Sequence, residues 1–146
     1  MLITINNHQR KFPVKRSNLL RCARQLAVLA KQRTPGTAWV EVSIHLLDDA
    51  GIAPVNASIM NHEGATDVIT QRYDTCPGEP DGVIGELFVN VERAFTIPCR
   101  KGWTAERELL LYIAHGFDHL TGADDAAPPD RARMRRRELA WLRTIT

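Results

Sequence analysis

A segment near the C-terminus, HGFDHLTGADD, holds side chains that together could bind a metal ion. His115 and His119 are four residues apart, so on a helix their rings project from one face, one turn apart. Gly122 can leave a helix in a left-handed conformation, which would let Asp124 or Asp125 fold back toward both imidazoles. Two imidazoles and one carboxylate, with a fourth position open to water, are typical ligands of a catalytic zinc ion.

Two other interpretations of this segment are weaker. Histidines at this spacing also occur on ordinary helix faces, but the glycine, the acidic pair and the preceding apolar run LLLYIA favour ligation. Zinc peptidases with the motif H-E-x-x-H-x-x-G-x-x-H/D share the spacing and use the glutamate as general base. Here that position is Gly116, so a peptidase mechanism lacks its base.

Composition restricts the class of protein. The 146 residues include 44% hydrophobic and 25% charged residues, which predicts one globular domain over residues 1–146. No stretch approaches the ~20 apolar residues that span a bilayer, and the N-terminus shows no signal-peptide pattern. Cys22, Cys76 and Cys99 form no C-x-x-C pair, which argues against a thiolate zinc site and favours reduced cysteines in the cytosol.

The charge of the chain is unevenly distributed. Its net charge is only +2, from 19 Lys and Arg against 17 Asp and Glu. Basic residues crowd two segments, one near each end of the chain: Lys11, Lys15, Arg16, Arg21 and Arg24, and then Arg131, Arg133, Arg135, Arg136 and Arg137. Either run alone is typical of a solvated helix face, but together they supply cations that could hold nucleic-acid phosphates.

The two histidines must be positioned by a helix that we predict over residues 104–121. Thr104 can cap its start and Gly122 can end it. Because the centre of this helix is apolar on all sides, we expect it to be buried all round.

The remaining elements follow from periodicity. Alternation predicts strands over 2–6, 39–49, 66–73 and 83–91, with the last two forming a hairpin or meander, and helical spacing predicts helices over 19–32, 55–60 and 130–145. In the second strand we expect Val40, Val42, Ile44 and Leu46 on one face. We expect Ser17 or Asn18 to cap the first helix, and Asp49 to cap the second with Pro54 in its first turn.

These elements predict an α+β fold. We expect a mostly antiparallel or mixed sheet of about four strands, packed against the buried metal-bearing helix. The N- and C-terminal helices would cover the remainder, and the last would turn Met134, Leu139 and Leu142 inward.

Three blocks of sequence resemble the YbeY family of bacterial zinc-dependent endoribonucleases. The family motif H-G-x-L-H-L-x-G-x-D-H is matched in the segment from His115 to Asp124. The motif L-N-x-x-[YF]-R-x-x-D-x-P-T-D-V-L-S-F is echoed by VNASIMNHEGATDVITQ, with Asn56, Thr66, Asp67 and Val68 identical. The family strand L-G-D-I aligns with IGEL, which keeps Gly85 and has Glu86 where aspartate is usual. The resemblance covers most of the chain, with the blocks in the family's order.

The resemblance implies a cytoplasmic protein that binds one Zn²⁺ and acts in 16S ribosomal RNA maturation and ribosome quality control. It also implies that His115, His119 and Asp125 bind the metal, with Asp125 where the family has a third histidine. Aspartate adds negative charge, so we expect weaker Lewis acidity and a more alkaline pH optimum than in a relative with three histidines. Asp124 would then be a turn or supporting residue.

A second departure from the family concerns a cation. The family arginine that is implied to contact RNA phosphate falls at Met60, which carries no charge. Arg72 is our first candidate to replace it as a catalytic and substrate-binding residue, followed by Lys101 or Arg100. Asp118 also replaces a family leucine, and it could be exposed, could accept an imidazole N–H or could add negative charge near the phosphate.

These departures leave two functions open. The first is a metal-dependent, single-strand-specific endoribonuclease in which a zinc-activated water attacks a phosphodiester. The second is a binding module for the ribosome or RNA that has kept the fold but lost efficient catalysis.

Overall fold

The computed structural model describes residues 1–97 and 101–145. The elements, in chain order, are β1 (Leu2–Asn7), α1 (Arg16–Lys31), β2 (Ala38–Leu47), α2 (Asp49–Met60), β3 (Val68–Tyr73), β4 (Gly82–Asn90), α3 (Val91–Thr96), α4 (Ala105–Leu120) and α5 (Pro128–Ile145). No helix within the described ranges is long and apolar enough to cross a membrane. Cys99 and Arg100 lie outside the described residues.

The four strands form one mixed sheet in the order β1-β2-β4-β3. β1 and β2 are parallel, as are β2 and β4, whereas β3 and β4 are antiparallel. This arrangement confirms the predicted α+β fold and the antiparallel pairing of β3 with β4. The strand order depends on long-range pairings, which the alternation pattern alone does not specify.

A buried layer of side chains lies between the sheet and the helices. α4 contacts α1, α5, β3 and β4, so most of it is buried, as its apolar sequence predicts, while His115 and His119 stay partly exposed. Val42, Ile44 and Leu46 point into this core. The prediction for Val40 is wrong: Val40 is 48% exposed and Trp39 is buried. The pairing of β2 with β4 shifts register between Trp39 and Glu41. Val40 is therefore an extra residue in β2, and it reverses the alternation of buried and exposed side chains.

Two glycines let α4 approach the sheet closely. A Cβ added at Gly116 would lie 2.7 Å from a methyl carbon of Leu87 on β4. A Cβ added at Gly85 on β4 would lie 2.6 Å from a methyl carbon of Leu120. Each glycine thus accommodates a leucine of the other element, and the C-terminal half of α4 lies directly on β4.

Several helix ends differ from the predictions. α1 begins at Arg16, one residue after Lys15, which makes no side-chain capping bond. α2 begins at Asp49 and is capped by Asp48, whose carboxylate accepts the N–H of Gly51 at 2.8 Å. Pro54 is therefore well inside α2, where its missing N–H leaves the carbonyl of Ala50 in an exposed turn.

The C-terminal part of the chain shows smaller differences. α3 begins directly after Asn90, whose side chain accepts the N–H of Arg93. The alternation pattern did not predict this helix, because the pattern of β4 continues into the first residue of α3. Thr104 caps α4 as predicted, by accepting the N–H of Arg107 at 3.1 Å. α5 begins at Pro128 rather than after the prolines, because proline is compatible with the first turn of a helix.

Candidate metal centre

Three potential ligand atoms converge at the C-terminal end of α4. The Nε2 atoms of His115 and His119 lie 3.1 Å apart. The Oδ2 atom of Asp125 lies 3.4 Å from Nε2 of His115 and 3.5 Å from Nε2 of His119. These three residues could hold a metal ion.

The spacing of the three atoms fits a tetrahedral zinc site. Zn–N and Zn–O bonds of about 2.0–2.2 Å in tetrahedral geometry place neighbouring ligand atoms about 3.3–3.6 Å apart. The observed separations of 3.1, 3.4 and 3.5 Å lie close to this range. The three residues are partly exposed, with side chains 23%, 27% and 37% accessible, so a fourth position can face solvent.

Hydrogen bonds at the other ring nitrogens orient both imidazoles. Nδ1 of His115 donates to Oε2 of Glu138 at 2.8 Å, and Nδ1 of His119 donates to the carbonyl oxygen of Ala123 at 3.0 Å. In the neutral tautomers set by these bonds, both Nε2 lone pairs point at the same place. Two lone pairs at 3.1 Å repel each other, so this arrangement requires a cation or a shared proton between them.

Glu138 is the most important site residue that the sequence did not indicate. It lies on α5, is fully buried, and has one carboxylate oxygen, Oε1, for which the described residues provide no hydrogen-bond partner. Because Glu138 directly follows a run of arginines, its sequence context is that of a solvated helix face. The only available signal was its spacing from Met134, Trp141 and Leu142, which share its buried face.

The carboxylate of Glu138 alters the protonation of His115. Burial lowers the pKa of His115, but the hydrogen bond and charge of Glu138, together with the charges of Asp125 and Asp67, raise it more. The pKa of His115 is therefore raised overall. Burial raises the pKa of Glu138, and the hydrogen bond from His115 offsets only part of that effect.

The loop after α4 selects Asp125 over Asp124. Gly122 has a φ of +95°, so the chain leaves the helix through the left-handed conformation. Oδ1 of Asp124 accepts the N–H of Ala126 at 3.0 Å and thus closes a local turn. Arg131 donates from Nε to the carbonyl oxygen of Asp125 at 3.2 Å. The structure therefore brings Asp125 to the histidines and leaves Asp124 as a turn residue.

The three converging residues open into a cleft of about 440 Å³, whose opposite wall is β3. Arg72 lines this cleft, and its guanidinium donates to the carbonyl oxygen of Leu120 at 3.3 Å while its side chain stays 36% exposed. Met60 and Asp67 also line the cleft. Oδ1 of Asp67 accepts the N–H of Val68 at 2.7 Å, the local backbone bond expected at the start of this strand.

The structure does not bring the other predicted cation to the cleft. Lys101 precedes the N-terminus of α4, whereas His115 lies ten residues inside that helix, which is a separation of about 15 Å along the axis. Lys101 is therefore at the wrong end of α4 to contact a phosphate bound near the histidines. Arg100 lies outside the described residues. Of the two candidates within the described residues, Arg72 is the one placed beside the histidines.

Asp118 has none of the three roles considered for it. It is fully buried, and its carboxylate accepts two hydrogen bonds from Arg137, at 2.9 and 3.0 Å. Nε of Arg33 lies 3.8 Å from the same carboxylate. Arg137 and Glu138 are adjacent in sequence, so α5 is attached to α4 by an ion pair at Asp118 and a hydrogen bond at His115.

A model of a known protein family matches nearly the whole chain. The model described as Endoribonuclease YbeY matches residues 4–146. The chain belongs to this family. A YbeY endoribonuclease from Rhodopirellula baltica is 36% identical over 121 residues, which cover 82% of this chain and 61% of that protein. The chain thus spans about three fifths of that relative's length.

Two further comparisons cover nearly the whole chain. A YbeY endoribonuclease from Moorella thermoacetica is 32% identical over 151 residues, covering 97% of this chain and 96% of that protein. A solution structure of a Thermotoga maritima protein matches with a TM-score of 0.62 and 20% identity, covering 99% of this chain and 89% of that one. The likeness to the solved structure concerns the fold alone, whereas the family match confirms the resemblance found in the sequence.

Proposed function

We propose that this protein is a zinc-dependent endoribonuclease that cleaves single-stranded segments of 16S ribosomal RNA. Its cellular role would be ribosome maturation and quality control in the cytoplasm. The observation that carries the proposal is the convergence of His115, His119 and Asp125 at 3.1–3.5 Å in a cleft that Arg72 also lines. Membership of the YbeY family supports the choice of RNA as substrate.

The donor set suits zinc. His115, His119 and Asp125 would hold the ion, and Glu138 and the carbonyl of Ala123 would keep both imidazoles in the ligating tautomer. A zinc ion bound there would supply Lewis acidity and lower the pKa of a water molecule. Other divalent ions accept the same ligands, so metal availability also affects which ion is bound.

Arg72 would bind the scissile phosphate. Its guanidinium is anchored to the C-terminal carbonyl of Leu120 and still lines the cleft. A guanidinium can donate two parallel hydrogen bonds to phosphate oxygens. In this proposal Arg72 supplies the charge that the family draws from the position occupied here by Met60.

The charges around the cleft oppose RNA binding there when no metal is bound. Asp67 and Asp125 line the cleft and Glu138 lies behind it, while Arg72 is the one cation among the described lining residues. With neutral histidines these groups carry a net charge of about −2, which opposes the approach of a phosphate. A divalent cation would cancel this charge. Chelation is therefore expected to weaken binding of RNA in the cleft as well as cleavage.

Metal content and RNA cleavage test the proposal together. We would measure bound metals by elemental mass spectrometry in the untagged wild type and in the His119→Ala and Asp125→Ala variants. About one zinc per chain, lost in both variants, is expected. Cleavage of a single-stranded RNA should disappear with chelator and return with added zinc.

The alternative function predicts different results. A binding module without efficient catalysis would keep its affinity for RNA or the ribosome after chelation and in His119→Ala. The replacement of the family arginine by Met60 favours this alternative. Zinc-free wild-type protein that is folded and still binds RNA would overturn the endoribonuclease proposal.

A further inference from the structure

Positive charge is concentrated on two neighbouring helices. Segments 15–33 and 128–145, which contain α1 and α5, hold 12 of the 19 Lys and Arg residues but only 2 of the 17 Asp and Glu residues. One of those two acids, Glu138, is fully buried. The two segments carry a net charge of +10 and the rest of the chain carries −8, a separation that the total of +2 conceals.

These cations share one surface. α1 and α5 contact each other, and both pack on α4, so their outward sides form a single layer. With lengths of about 24 and 27 Å and an expected axial separation of about 8–10 Å, the layer is broad rather than a narrow groove. We call it the α1–α5 face. Its exposed cations are Lys15, Arg16, Arg21, Arg24, Lys31, Arg33, Arg131, Arg133, Arg135, Arg136 and Arg143.

Several of these cations lack a hydrogen-bonding or ion-pairing partner within residues 1–97 and 101–145. Among the described residues, no hydrogen bond or ion pair is made by the side chains of Arg24, Lys31, Arg135, Arg136 or Arg143. Like charges held close together destabilise a compact protein unless a partner compensates them. The α1–α5 face therefore has the chemistry of a surface that binds a polyanion.

The side chains on the face favour an RNA double helix over single-stranded RNA. α1 contains no aromatic residue, and Trp141 of α5 is only 8% exposed. Single-stranded nucleic acids are usually held by stacking their bases on exposed aromatic rings. Double-stranded RNA is instead recognised by its shape and by contacts to its phosphates and sugars. Charges without aromatic rings match the second mode.

The same surface is poorly suited to a lipid membrane. Helices that lie on membranes bury a face of apolar side chains in the lipid. Within the described part of α1 and α5, Val28 is the one large hydrophobic residue on the exposed surface. A phosphate-rich partner of fixed shape fits this face better than an acyl layer does.

The face adjoins the candidate metal centre. Arg33, Arg133 and Arg137 line one hollow together with Ala123 and Asp124, which belong to the loop that carries Asp125. An RNA helix on this face would therefore end beside the cleft. We propose that the α1–α5 face binds the double-helical part of a structured RNA and so presents the adjoining single strand to the cleft. This inference rests on the proposed function in taking RNA as the partner.

Binding of a blunt RNA duplex of about 16 base pairs tests the inference without requiring cleavage. The test variant is Arg24→Gln/Arg136→Gln, one substitution on each helix. The control is Arg10→Gln/Arg93→Gln, which removes the same charge from exposed positions outside α1 and α5. Dissociation constants would be measured by fluorescence anisotropy over a range of salt concentrations. Cleavage of a short single-stranded RNA would be measured separately.

We expect the test variant to bind the duplex about tenfold more weakly than the wild type. The slope of log K against log salt concentration should be smaller in magnitude by about two, because each phosphate contact contributes about one to that slope. The control variant should retain wild-type binding. Both variants should cleave the short single strand at the wild-type rate. Selective loss of duplex binding in a protein that cleaves no RNA would support the α1–α5 face and refute only the proposed function.

Several outcomes would overturn the inference. One is equal weakening of duplex binding in the test and control variants, and another is unchanged duplex binding in the test variant. A third is that the wild type binds a single strand with the same number of phosphates as tightly as it binds the duplex. A fourth is a preference for anionic lipid vesicles over the duplex.

Discussion

Replacing Glu138 by glutamine should weaken metal binding without destabilising the metal-free protein. Glutamine is nearly isosteric with glutamate and can still accept the N–H of His115, so packing on α4 should be retained. The substitution removes the negative charge behind the ligand. It thereby separates an effect on the metal from an effect on the fold.

The size of the effect follows from the 2.8 Å hydrogen bond between Glu138 and His115. A hydrogen bond to a charged group contributes about 1.5–3 kcal/mol, roughly twice the value for a neutral pair. Losing half of the hydrogen-bond energy costs about 0.8–1.5 kcal/mol, or roughly four- to tenfold in metal affinity. Mutations of groups that support a metal ligand typically cost about 10–100-fold, which places this estimate at the lower end.

The stability of the metal-free protein should respond differently. Burial raises the pKa of Glu138 above its ordinary value, so the folded state disfavours its charged form. The carboxylate therefore lowers the free energy of unfolding as pH rises from the pKa of Glu138 in the unfolded state through its raised pKa in the folded state. Glutamine carries no such cost. We expect the unfolding free energy of the metal-free variant at neutral pH to equal or exceed that of the wild type.

The variant should also change the pH dependence of metal binding. The pKa of His115 is raised in the wild type, and zinc needs the neutral imidazole. Affinity should therefore increase as pH rises through this raised pKa. Without the charge of Glu138, the increase should occur at lower pH. A purely structural role for Glu138 would not produce this shift.

The assay is zinc competition against a chelator at several pH values, with urea unfolding of the metal-free protein measured in parallel. Glu63→Gln, at an exposed position, is the matched control and should resemble the wild type in both. Zinc affinity of Glu138→Gln within twofold of wild type would refute the reasoning, as would a large loss of stability in the metal-free variant.

Three other predictions concern residues around the cleft. Arg72→Gln should reduce kcat/KM for RNA at least tenfold while leaving zinc content at one per chain, and wild-type kinetics would remove Arg72 from the mechanism. Asp125→His should move the pH optimum for cleavage toward lower pH, because it removes a negative charge from the metal; an unchanged or higher optimum in pH–rate profiles would contradict this. Arg137→Met should cost about 3–5 kcal/mol by leaving Asp118 buried and poorly paired, whereas Asp118→Leu/Arg137→Met should be neutral or stabilising in urea unfolding. An additive loss in the double variant would show that packing, not charge, dominates there.

The parts of the site that depend on local spacing were predictable from the sequence. His115 and His119 share a helix face because they are four residues apart, and the glycine after them predicts the turn that returns Asp125. The choice between the two aspartates required the turn geometry, in which the Asp124 side chain is used by the backbone of Ala126. Arg72 was predictable as a candidate because it lies near the end of a strand that begins in a family motif.

Other features depend on pairings distant in the chain. Glu138 lies 23 residues from His115 and Arg137 lies 19 residues from Asp118, and neither distance produces a periodic signal. The helix that carries both residues looks like a solvated basic helix until its docking on α4 is known. The strand order is another long-range property. The bulge at Trp39 also depends on pairing with a distant strand. One extra residue there reverses the alternation that was used to assign side chains to the two faces of the sheet.

The close contact between Gly116 and Leu87 has an evolutionary consequence. In peptidases with the same ligand spacing, the position of Gly116 is occupied by the glutamate base. A side chain at this position would begin 2.7 Å from Leu87, and both residues are buried. A single codon change could install that base only if the Leu87 side chain moved aside. The two chemistries are thus separated by a repacking of Leu87 against α4 as well as by the substitution itself.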